Sequence, residues 1–312
     1  MDFTAKDRLP SRPRVASRYP GSGPKLMVEK RRSFLRGTAG ILLMSGFGSM
    51  MLTACGGGPV EMVATPHLAS VDNFRDVAGT GDGYPTVDGH RVRRGVFYRS
   101  NVLALSGADE AALDALGIVA VYDLRTPGEL ASVPDVLPLR AAYVTINIAG
   151  TDDVQIPQFA TPADAVALEE STERSYVTGG APRAGFRMLL TDLANTPGAQ
   201  LFHDATGADA TGWVAAVLLS IANVPFDVIM EDYLLTNSVA AASIRSNLDT
   251  VRAQLGDTVA ANAAPLFNVQ ASFLQAGFDQ VQASYGTMAN YLTQGLGLSQ
   301  ATIDALHDKL VV

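Results

Sequence analysis

The run from Leu201 to Trp213 most strongly constrains the fold, because an apolar segment leads through a loop of small residues into an apolar helix. Residues 199–202 are mainly apolar and follow a Thr-Pro-Gly turn, which predicts a strand. Apolar residues recur at helical spacing after Trp213, so a helix is predicted to begin near Thr211. A loop between a strand and a helix N-terminus points backbone N–H groups inward, and this arrangement favours bound anions.

The loop reads His-Asp-Ala-Thr-Gly-Ala-Asp-Ala-Thr-Gly over residues 203–212. It resembles the signature loop of the Cys-dependent tyrosine and dual-specificity phosphatases, whose bacterial branch carries His-Cys-x-x-Gly-Lys-Asp-Arg-Thr-Gly. The matching positions are His203, Gly207, Asp209, Thr211 and Gly212. Asp204 stands at the position of the nucleophilic cysteine, Ala208 at that of the lysine, and Ala210 at that of the arginine that clamps phosphate. The signature is therefore degenerate at three positions that carry the chemistry.

Further segments resemble the same family in the same order along the chain. They are residues 73–76, 95–100, 116–118, 122–125 with Glu129, and 232–237, and others near the C-terminus fit its closing helices. The resemblance covers roughly residues 68–312. It implies one tyrosine-phosphatase-like domain of the α/β class, with a central sheet flanked by helices and a helix-rich C-terminal half. It also implies that residues 151–180 contribute a lid over the pocket.

The hydrophobic pattern agrees with an α/β fold. Strands are predicted at 91–98, 118–124 and 143–148, and helices at 106–116 and 161–177. From Arg183 onward, helices are predicted throughout except for the strand that precedes the loop, among them segments at 265–285 and 287–294. Ligands of such sheets collect beyond the C-terminal ends of the strands.

Four charged residues are predicted to lie near the loop. Arg99, Asp123 and Arg125 fall at predicted strand ends and are expected to share one cleft with Asp204. Arg75 belongs to a matching segment of the family framework. Two interpretations stay open for these residues, either an ion-pair network at the strand ends or the lining of a pocket. If an anion binds, Arg99 and Arg125 are expected to hold it.

The altered loop is expected to bind phosphate poorly. Asp204 and Asp209 give it a charge of about −2 with no Lys or Arg inside it. Two like charges ~4 Å apart repel by ~4 kcal/mol at an effective dielectric constant of ~20, whereas a helix N-terminus attracts an anion by only ~0.3–2 kcal/mol. Asp209 is expected to cap the following helix, and His203 to brace the loop by hydrogen bonding.

One active alternative uses Asp204 as a phosphoryl nucleophile. An aspartate can form an acyl phosphate, but the charge then requires a divalent cation, for which Asp204 and Asp209 would supply oxygen ligands. The sequence contains no spacing typical of a metal site, and no metal or other cofactor is predicted.

Residues 1–55 are predicted to be an export signal. Lys-Arg-Arg-Ser-Phe-Leu-Arg at 30–36 precedes an apolar run at 41–52 and fits the twin-arginine pattern, with Met1 and Met27 as alternative starts. The run is shorter than the ~20 residues that span a membrane. Leu-Thr-Ala-Cys then resembles a lipobox, so Cys55 is predicted to be lipidated, and residues 56–67 to form a tether. The alternative is a buried anchor helix with an incidental cysteine.

The cysteine count and the charge exclude several functions. Cys55 is the single cysteine, so the domain has no thiol nucleophile and no intramolecular disulfide. Residues 1–54 hold ten of the 23 Lys and Arg but three of the 31 Asp and Glu, which leaves a net charge of −15 on the rest. So acidic a body excludes electrostatic binding of nucleic acid or anionic membranes, and membrane attachment is expected through lipid alone.

Together these features predict an exported protein, lipid-anchored to the bacterial cell envelope. The favoured function is that of a catalytically inactive pseudophosphatase, a binding or scaffold module for an unidentified protein or small molecule. The alternative is a tyrosine-phosphatase-type or metal-assisted phosphoester hydrolase that uses Asp204.

Overall fold

The computed structural model describes residues 65–312 apart from residue 156. The predicted export signal, the lipidation site Cys55 and residues 56–64 of the tether lie outside the described residues. Within the described part of the chain, no helix combines the length and the apolar character needed to cross a membrane.

A five-stranded mixed sheet forms the centre of the domain. Its strands are β1 (Arg75–Asp76), β2 (Phe97–Ser100), β3 (Ile118–Asp123), β4 (Ala142–Thr145) and β5 (Ala199–His203). They lie in the order β1-β2-β5-β3-β4, with β1 antiparallel to β2 and the other neighbouring pairs parallel. Because β2, β5 and β3 are parallel neighbours, their C-terminal residues Ser100, His203 and Asp123 lie side by side at one edge.

Helices surround this sheet and occupy most of the chain after β4. The first are α1 (Gly107–Asp114), α2 (Pro127–Ser132), α3 (Pro162–Thr178), α4 (Gly180–Asn195) and α5 (Ala210–Ile221). They are followed by α6 (Phe226–Val239), α7 (Ala241–Leu255), α8 (Asp257–Ala263), α9 (Ala271–Tyr285), α10 (Met288–Asn290) and α11 (Gln300–Leu310). The predicted α/β class with a helix-rich C-terminal half is confirmed.

The core encloses α5, which lies directly after the candidate loop. Every residue of α5 except Ser220 is buried, as expected for a helix that is apolar on all sides. Trp213 is fully buried there, and its ring contacts those of Tyr176, Phe278 and Tyr291. The helix that the loop enters is therefore fixed in position by packing.

Several predicted segment bounds are wrong. The strand predicted at 91–98 begins at Phe97, because Gly95 adopts a positive φ of 78° and breaks the extended chain before it. Arg91 and Val92 form only isolated bridges. The helix predicted at 265–285 is instead a 3-10 turn, Ala264–Leu266, followed by α9. The segment predicted at 287–294 divides into α10 and a π-helical turn, Tyr291–Gly295.

Candidate functional site

Two side chains, those of Asn73 and Arg99, hold the loop between β5 and α5 in place by hydrogen bonds. Asn73 donates from Nδ2 to the carbonyl oxygens of Thr206 (3.1 Å) and Gly207 (2.8 Å). Arg99 donates from Nη2 to the Gly207 carbonyl over 2.6 Å. Gly207 has a φ of 71°, and a Cβ there would approach the Ser100 carbonyl oxygen to 2.6 Å. Only glycine fits this position, so the close-packed loop geometry depends on it.

The carboxylate of Asp204 accepts hydrogen bonds from three backbone N–H groups, two in the loop and one in the first turn of α5. Its Oδ1 accepts hydrogen bonds from the amides of Thr206 (3.0 Å) and Gly207, and its Oδ2 accepts one from the amide of Thr211 (2.9 Å). The side chain is buried, with 8% of the residue exposed. The amides that would attract an external anion are thus already engaged by a negative charge belonging to the chain itself.

Asp209 occupies the N-cap position of α5, but it does not cap the helix. Its side chain makes no capping hydrogen bond, and its backbone, at φ −85° and ψ −90°, departs from extended cap geometry. The expected cap is therefore wrong, because Asp204 reaches from seven residues earlier and takes the amide of Thr211 instead. Burial, followed by the charges of Glu169, Asp204 and Glu173, raises the pKa of Asp209 well above its usual range.

Two carboxylates of α3 lie near the loop. Glu173 is buried, and burial followed by the charges of Glu169 and Asp204 raises its pKa well above the ordinary value. Burial also raises the pKa of the partly buried Glu169 to about 7. The predicted lid region thus supplies a helix whose acidic side chains act electrostatically on Asp209. This adds acidic groups with raised pKa values to the surroundings of a loop that already lacks a Lys or Arg.

Arg75 and Arg99 form a buried ion-pair cluster around Asp232. Nε of Arg75 lies 3.3 Å from Oδ1 of Asp232, and Nη1 of Arg99 lies 3.2 Å from Oδ2 of the same carboxylate. Arg75 also donates to the Asp232 carbonyl and to Oγ1 of Thr236. Burial, followed by the charge of Arg75, lowers the pKa of Arg99 to about 9. Both arginines therefore support the framework, and Arg99 in addition holds the loop.

Asp123 and Arg125 belong to a second buried cluster. Arg125 donates to both oxygens of Asp123, at 2.6–3.1 Å, and its Nη2 lies 2.7 Å from Oδ2 of Asp135. Tyr143 donates to the same two carboxylates. Nε2 of His203 lies 3.7 Å from Oδ2 of Asp123 and 3.4 Å from Oδ2 of Asp135, but it forms no hydrogen bond with either carboxylate. These contacts correspond to the ion-pair interpretation of Asp123 and Arg125.

The second cluster also has the spacing of metal ligands. One ligand atom each of Asp123, Asp135 and His203 lies within 4.8 Å of the others, a grouping that the sequence spacing did not indicate. The guanidinium of Arg125 already contacts both carboxylates, so a cation is present at this position. Although burial acts to raise the pKa of Asp135, the adjacent His203 ring holds it below its usual range.

His203 also contacts the candidate loop. One ring nitrogen, Nδ1, lies 3.3 Å from the carbonyl oxygen of Asp204, and the side chain is completely buried. The imidazole thus lies between the loop backbone and the Asp123–Asp135 cluster. This position corresponds to a bracing residue, whereas a general base must reach its substrate.

A small cavity lies beside the loop. It has a volume of about 200 Å³ and is lined by Arg125, Glu129 and Ala205 together with residues of α2 and Val102. Glu129 is engaged in a capping box with Thr126 at the start of α2. Among the residues predicted to lie near the loop, Arg99 contacts it directly through the Gly207 carbonyl. Arg125 lies beside the loop only where it lines this cavity together with Ala205.

Sequence reasoning missed Glu169 and Glu173 as neighbours of the loop. A signal existed, because Ala165, Glu169 and Glu173 recur every four residues on the same side of α3 as the buried Val177. Acidic residues within an otherwise buried stripe require a partner or a shifted pKa. Asp135 carried no such signal, since it lies in an irregular segment between α2 and β4.

The fold and the loop together define a class of protein. A parallel β-strand that passes through a glycine-containing turn into a buried helix, with backbone amides converging on one carboxylate, is an anion-cradle architecture of the α/β type.

Comparison with known proteins identifies the family. The model of the tyrosine phosphatase family matches residues 66–312. A Cupriavidus necator protein, named among the tyrosine-protein phosphatases, is 33% identical over 245 residues, covering 75% of this chain and 85% of the relative. The triple specificity protein phosphatase PtpB of Mycobacterium tuberculosis is 27% identical over 287 residues, covering 80% and 100%. A tyrosine-protein phosphatase of Nostoc commune is 30% identical over 213 residues, covering 63% and 70%. The chain therefore belongs to the tyrosine phosphatase family.

Proposed function

We propose that this chain is a catalytically inactive member of the family, exported and lipid-anchored through Cys55, that serves as a binding or scaffold module at the bacterial cell envelope. The observation that carries the loss of catalysis is the engagement of the loop amides by the Asp204 carboxylate. The export signal and lipobox pattern support the localisation.

The proposal follows from competition for the same donors. A phosphate group would need the amides of Thr206, Gly207 and Thr211, which Asp204 already satisfies within the same chain. The negative charge of Asp204 opposes a phosphate further, and Ala208 and Ala210 supply no cation. Family chemistry also needs a nucleophilic thiol, and the single cysteine of the chain lies outside the loop.

The aspartate-based hydrolase receives less support from the geometry. Both carboxylate oxygens of Asp204 accept backbone hydrogen bonds, which lowers their capacity to attack phosphorus or bind a metal ion. Among residues 65–312, apart from residue 156, the grouping with metal-ligand spacing contains Asp123, Asp135 and His203 and does not include Asp204. We therefore retain inactivity as the proposal and test the alternative directly.

The test is aryl-phosphate hydrolysis by the full chain, with and without Mg²⁺, beside the triple variant Asp204→Cys, Ala208→Lys and Ala210→Arg. We expect turnover only in the triple variant, because it restores the nucleophile and the phosphate-binding cations together. The matched control is the double variant Ala208→Lys and Ala210→Arg, which has the cations without the thiol and is expected to stay inactive. Metal-dependent turnover by the unaltered chain that disappears in Asp204→Asn contradicts the proposal.

Lipid anchoring is tested separately by Cys55→Ser. Without a thiol to lipidate, the variant is expected to leave the membrane fraction when the protein is expressed in its native type of host. Unchanged fractionation of Cys55→Ser shows that another feature holds the protein and contradicts the anchoring proposal.

A further inference from the structure

The cavity beside the loop is a pocket with mainly apolar walls, and its volume is about 200 Å³. Four separate segments line it, namely Val102 after β2, Arg125 with Gly128, Glu129, Ser132 and Val133 in and around α2, Asp153 after β4, and Ala205 of the loop. We refer to this cavity as the α2 pocket. It is smaller than the ~300–1,000 Å³ of pockets that hold drug-sized ligands, so it fits a small organic group.

Hydrogen bonds and close contacts hold the walls of the α2 pocket in place. The amide of Gly128 donates to the carbonyl of Asp152 over 2.8 Å and so joins the segment that carries Asp153 to α2. A Cβ at Gly128 would lie 2.9 Å from Oδ1 of Asp153, so this close approach depends on glycine. On another side, Nη1 of Arg125 donates to the Val133 carbonyl over 2.7 Å. The pocket is therefore preformed, which lowers the cost of binding a ligand.

Two carboxylates line the pocket, and each has an oxygen to spare. Oε2 of Glu129 accepts hydrogen bonds from the amide and Oγ1 of Thr126, at 2.9 Å and 3.0 Å, and the hydrogen bonds of the described residues leave its Oε1 unused. Oδ1 of Asp153 accepts from the amide of Val154 over 2.9 Å, whereas Oδ2 takes no part in that bond. Asp153 is exposed and Glu129 is half-buried, so the pocket opens to solvent. Ionised carboxylates only accept hydrogen bonds, so these oxygens require N–H or O–H donors.

The guanidinium of Arg125 does not cancel the negative charge of the pocket. Its Nη2 lies 2.6 Å from Oδ2 of Asp123 and 2.7 Å from Oδ2 of Asp135, and these two carboxylates offset its positive charge. Glu129 and Asp153 therefore determine the sign of the charge at the pocket. A cation is favoured there over a phosphate or a carboxylate.

The apolar walls and the two acceptors together define the ligand. Val102, Val133 and Ala205 offer apolar surface against which methylene groups can be removed from water. An ammonium group carries three N–H donors and no acceptor, which suits the free oxygens of Glu129 and Asp153. A fully polar cation leaves the apolar walls without contacts, and an uncharged alkyl group leaves the carboxylates without donors.

We propose that the α2 pocket binds a primary ammonium group on a short aliphatic chain, of the kind that a lysine side chain carries. Its methylene groups contact Val102 and Val133, and its N–H groups donate to Glu129 and Asp153. This inference rests on the proposed binding role of the loop region, which shares Ala205 with the pocket, and it names the ligand class.

The experiment is a titration of the full chain with Nα-acetyl-lysine amide, followed by NMR of the ligand at pH 7.5 and constant ionic strength. Nα-acetyl-norleucine amide, which has a similar side chain without the charge, and inorganic phosphate are titrated beside it. We expect the lysine derivative to bind, and to bind about fivefold or more weakly to Glu129→Gln and to Asp153→Asn, because each variant removes one negative charge. The norleucine derivative and phosphate are expected to bind more weakly than the lysine derivative.

The variants are chosen to preserve the fold. Glutamine at position 129 can still complete the capping box with Thr126, and asparagine at position 153 keeps an acceptor oxygen for the amide of Val154. The matched control is Asp152→Asn, which removes the same charge from an exposed neighbour whose side chain does not line the pocket. Its affinity for the lysine derivative is expected to stay within about twofold of the unaltered chain.

A further arm separates the two sources of such an amine. Binding of Nα-acetyl-lysine amide at least as tight as that of n-butylamine indicates a peptide side chain, whereas tighter binding of n-butylamine indicates a free amine, and both results support the proposal. The inference is overturned if neither amine binds the unaltered chain, if the norleucine derivative or phosphate binds as tightly as the lysine derivative, or if Glu129→Gln and Asp153→Asn, verified as folded by circular dichroism, bind it as tightly as the unaltered chain.

The hydrolysis assay judges the proposed function independently. Absent turnover with absent amine binding refutes this inference and leaves catalytic inactivity standing. Turnover by the unaltered chain together with amine binding refutes the inactivity and leaves the pocket assignment standing.

Discussion

Two polar regions of this domain differ in how their charges are balanced. In the framework, Arg75 and Arg99 share the carboxylate of Asp232, and Arg125 pairs with Asp123 and Asp135. Around the loop, by contrast, the described part of the chain gives no ion pair to Glu169, Glu173, Asp204 or Asp209, and Arg99 is already committed to Asp232 and to a loop carbonyl. The framework is close to neutral, whereas burial raises the pKa values of Glu169, Glu173 and Asp209, and neighbouring carboxylates add to the shift at Glu173 and Asp209.

The difference separates residues needed for folding from residues needed for chemistry. A buried arginine cannot lose its charge at ordinary pH, so removal of its partner is strongly destabilising. A buried carboxyl group can instead become protonated at moderate energetic cost. Loss of the loop cations is therefore compatible with a stable fold, whereas loss of a framework carboxylate is not, and each prediction below tests one side of this contrast.

The largest effect is expected from Asp232→Ala. This change leaves Arg75 and Arg99 buried without their shared carboxylate, and removing one member of a buried ion pair costs ~3–5 kcal/mol. Urea denaturation of the full chain measures the change in the free energy of unfolding. The control is Glu231→Ala, an exposed neighbour on α6, which is expected to change stability by less than ~0.5 kcal/mol. Equal losses in the two variants refute the claim that the arginines depend on Asp232.

The sequence predicts the sheet-and-loop unit better than its surroundings. The buried strand β3, the strand β5 and the apolar helix α5 have unambiguous patterns, and their bounds agree with prediction within a few residues. The strand predicted at 91–98 was wrong because the alternation of apolar residues contains no information about the positive φ of Gly95. The π-helical turn at Tyr291–Gly295 likewise depends on tertiary packing, which the 3.6-residue period does not encode.

The site was predictable in position but not in internal contacts. Matching the sequence to the family's signature loop placed Asp204 and Asp209 correctly within the loop. Because Asp209 lies directly before α5 in the sequence, it was also predicted to cap that helix. The carboxylate of Asp204 takes the amide of Thr211, since the loop curls back on itself through the positive φ of Gly207. Contacts across such a curl, and those made by Glu173 from a separate helix, depend on three-dimensional placement that local spacing does not report.

A smaller effect is expected from changes at Asp204. Asp204→Ala leaves the amides of Thr206, Gly207 and Thr211 without their acceptor, and an unsatisfied buried donor costs ~1–3 kcal/mol. Relief of repulsion with Glu173 offsets part of this, so a net loss of ~1–2 kcal/mol is expected in urea denaturation. Asp204→Asn keeps one acceptor oxygen and is expected to lose less than the alanine variant. A stability gain in Asp204→Ala contradicts the engagement of the loop amides by this carboxylate.

The smallest effect concerns pH. Burial raises the folded-state pKa of Glu169 to about 7, whereas the unfolded chain titrates near 4.5. The native state then holds the extra proton, so the associated stability is fully present below pH 4.5 and is lost as the pH rises through about 7. Partial exposure limits the difference to ~1–2 kcal/mol. Urea denaturation at pH 4.5 and pH 8 is expected to show a smaller loss of stability in Glu169→Gln than in the unaltered chain.

The comparison between variants isolates Glu169 from other titrating groups. Burial also raises the pKa of Asp76 to about 6, and this group shifts stability in the same direction in every variant. Glu170→Gln, on the same helix but paired with Arg174, is expected to retain the full pH dependence. If all variants lose stability equally with pH, Glu169 does not have a raised pKa in the folded protein, and the contrast with the framework does not hold.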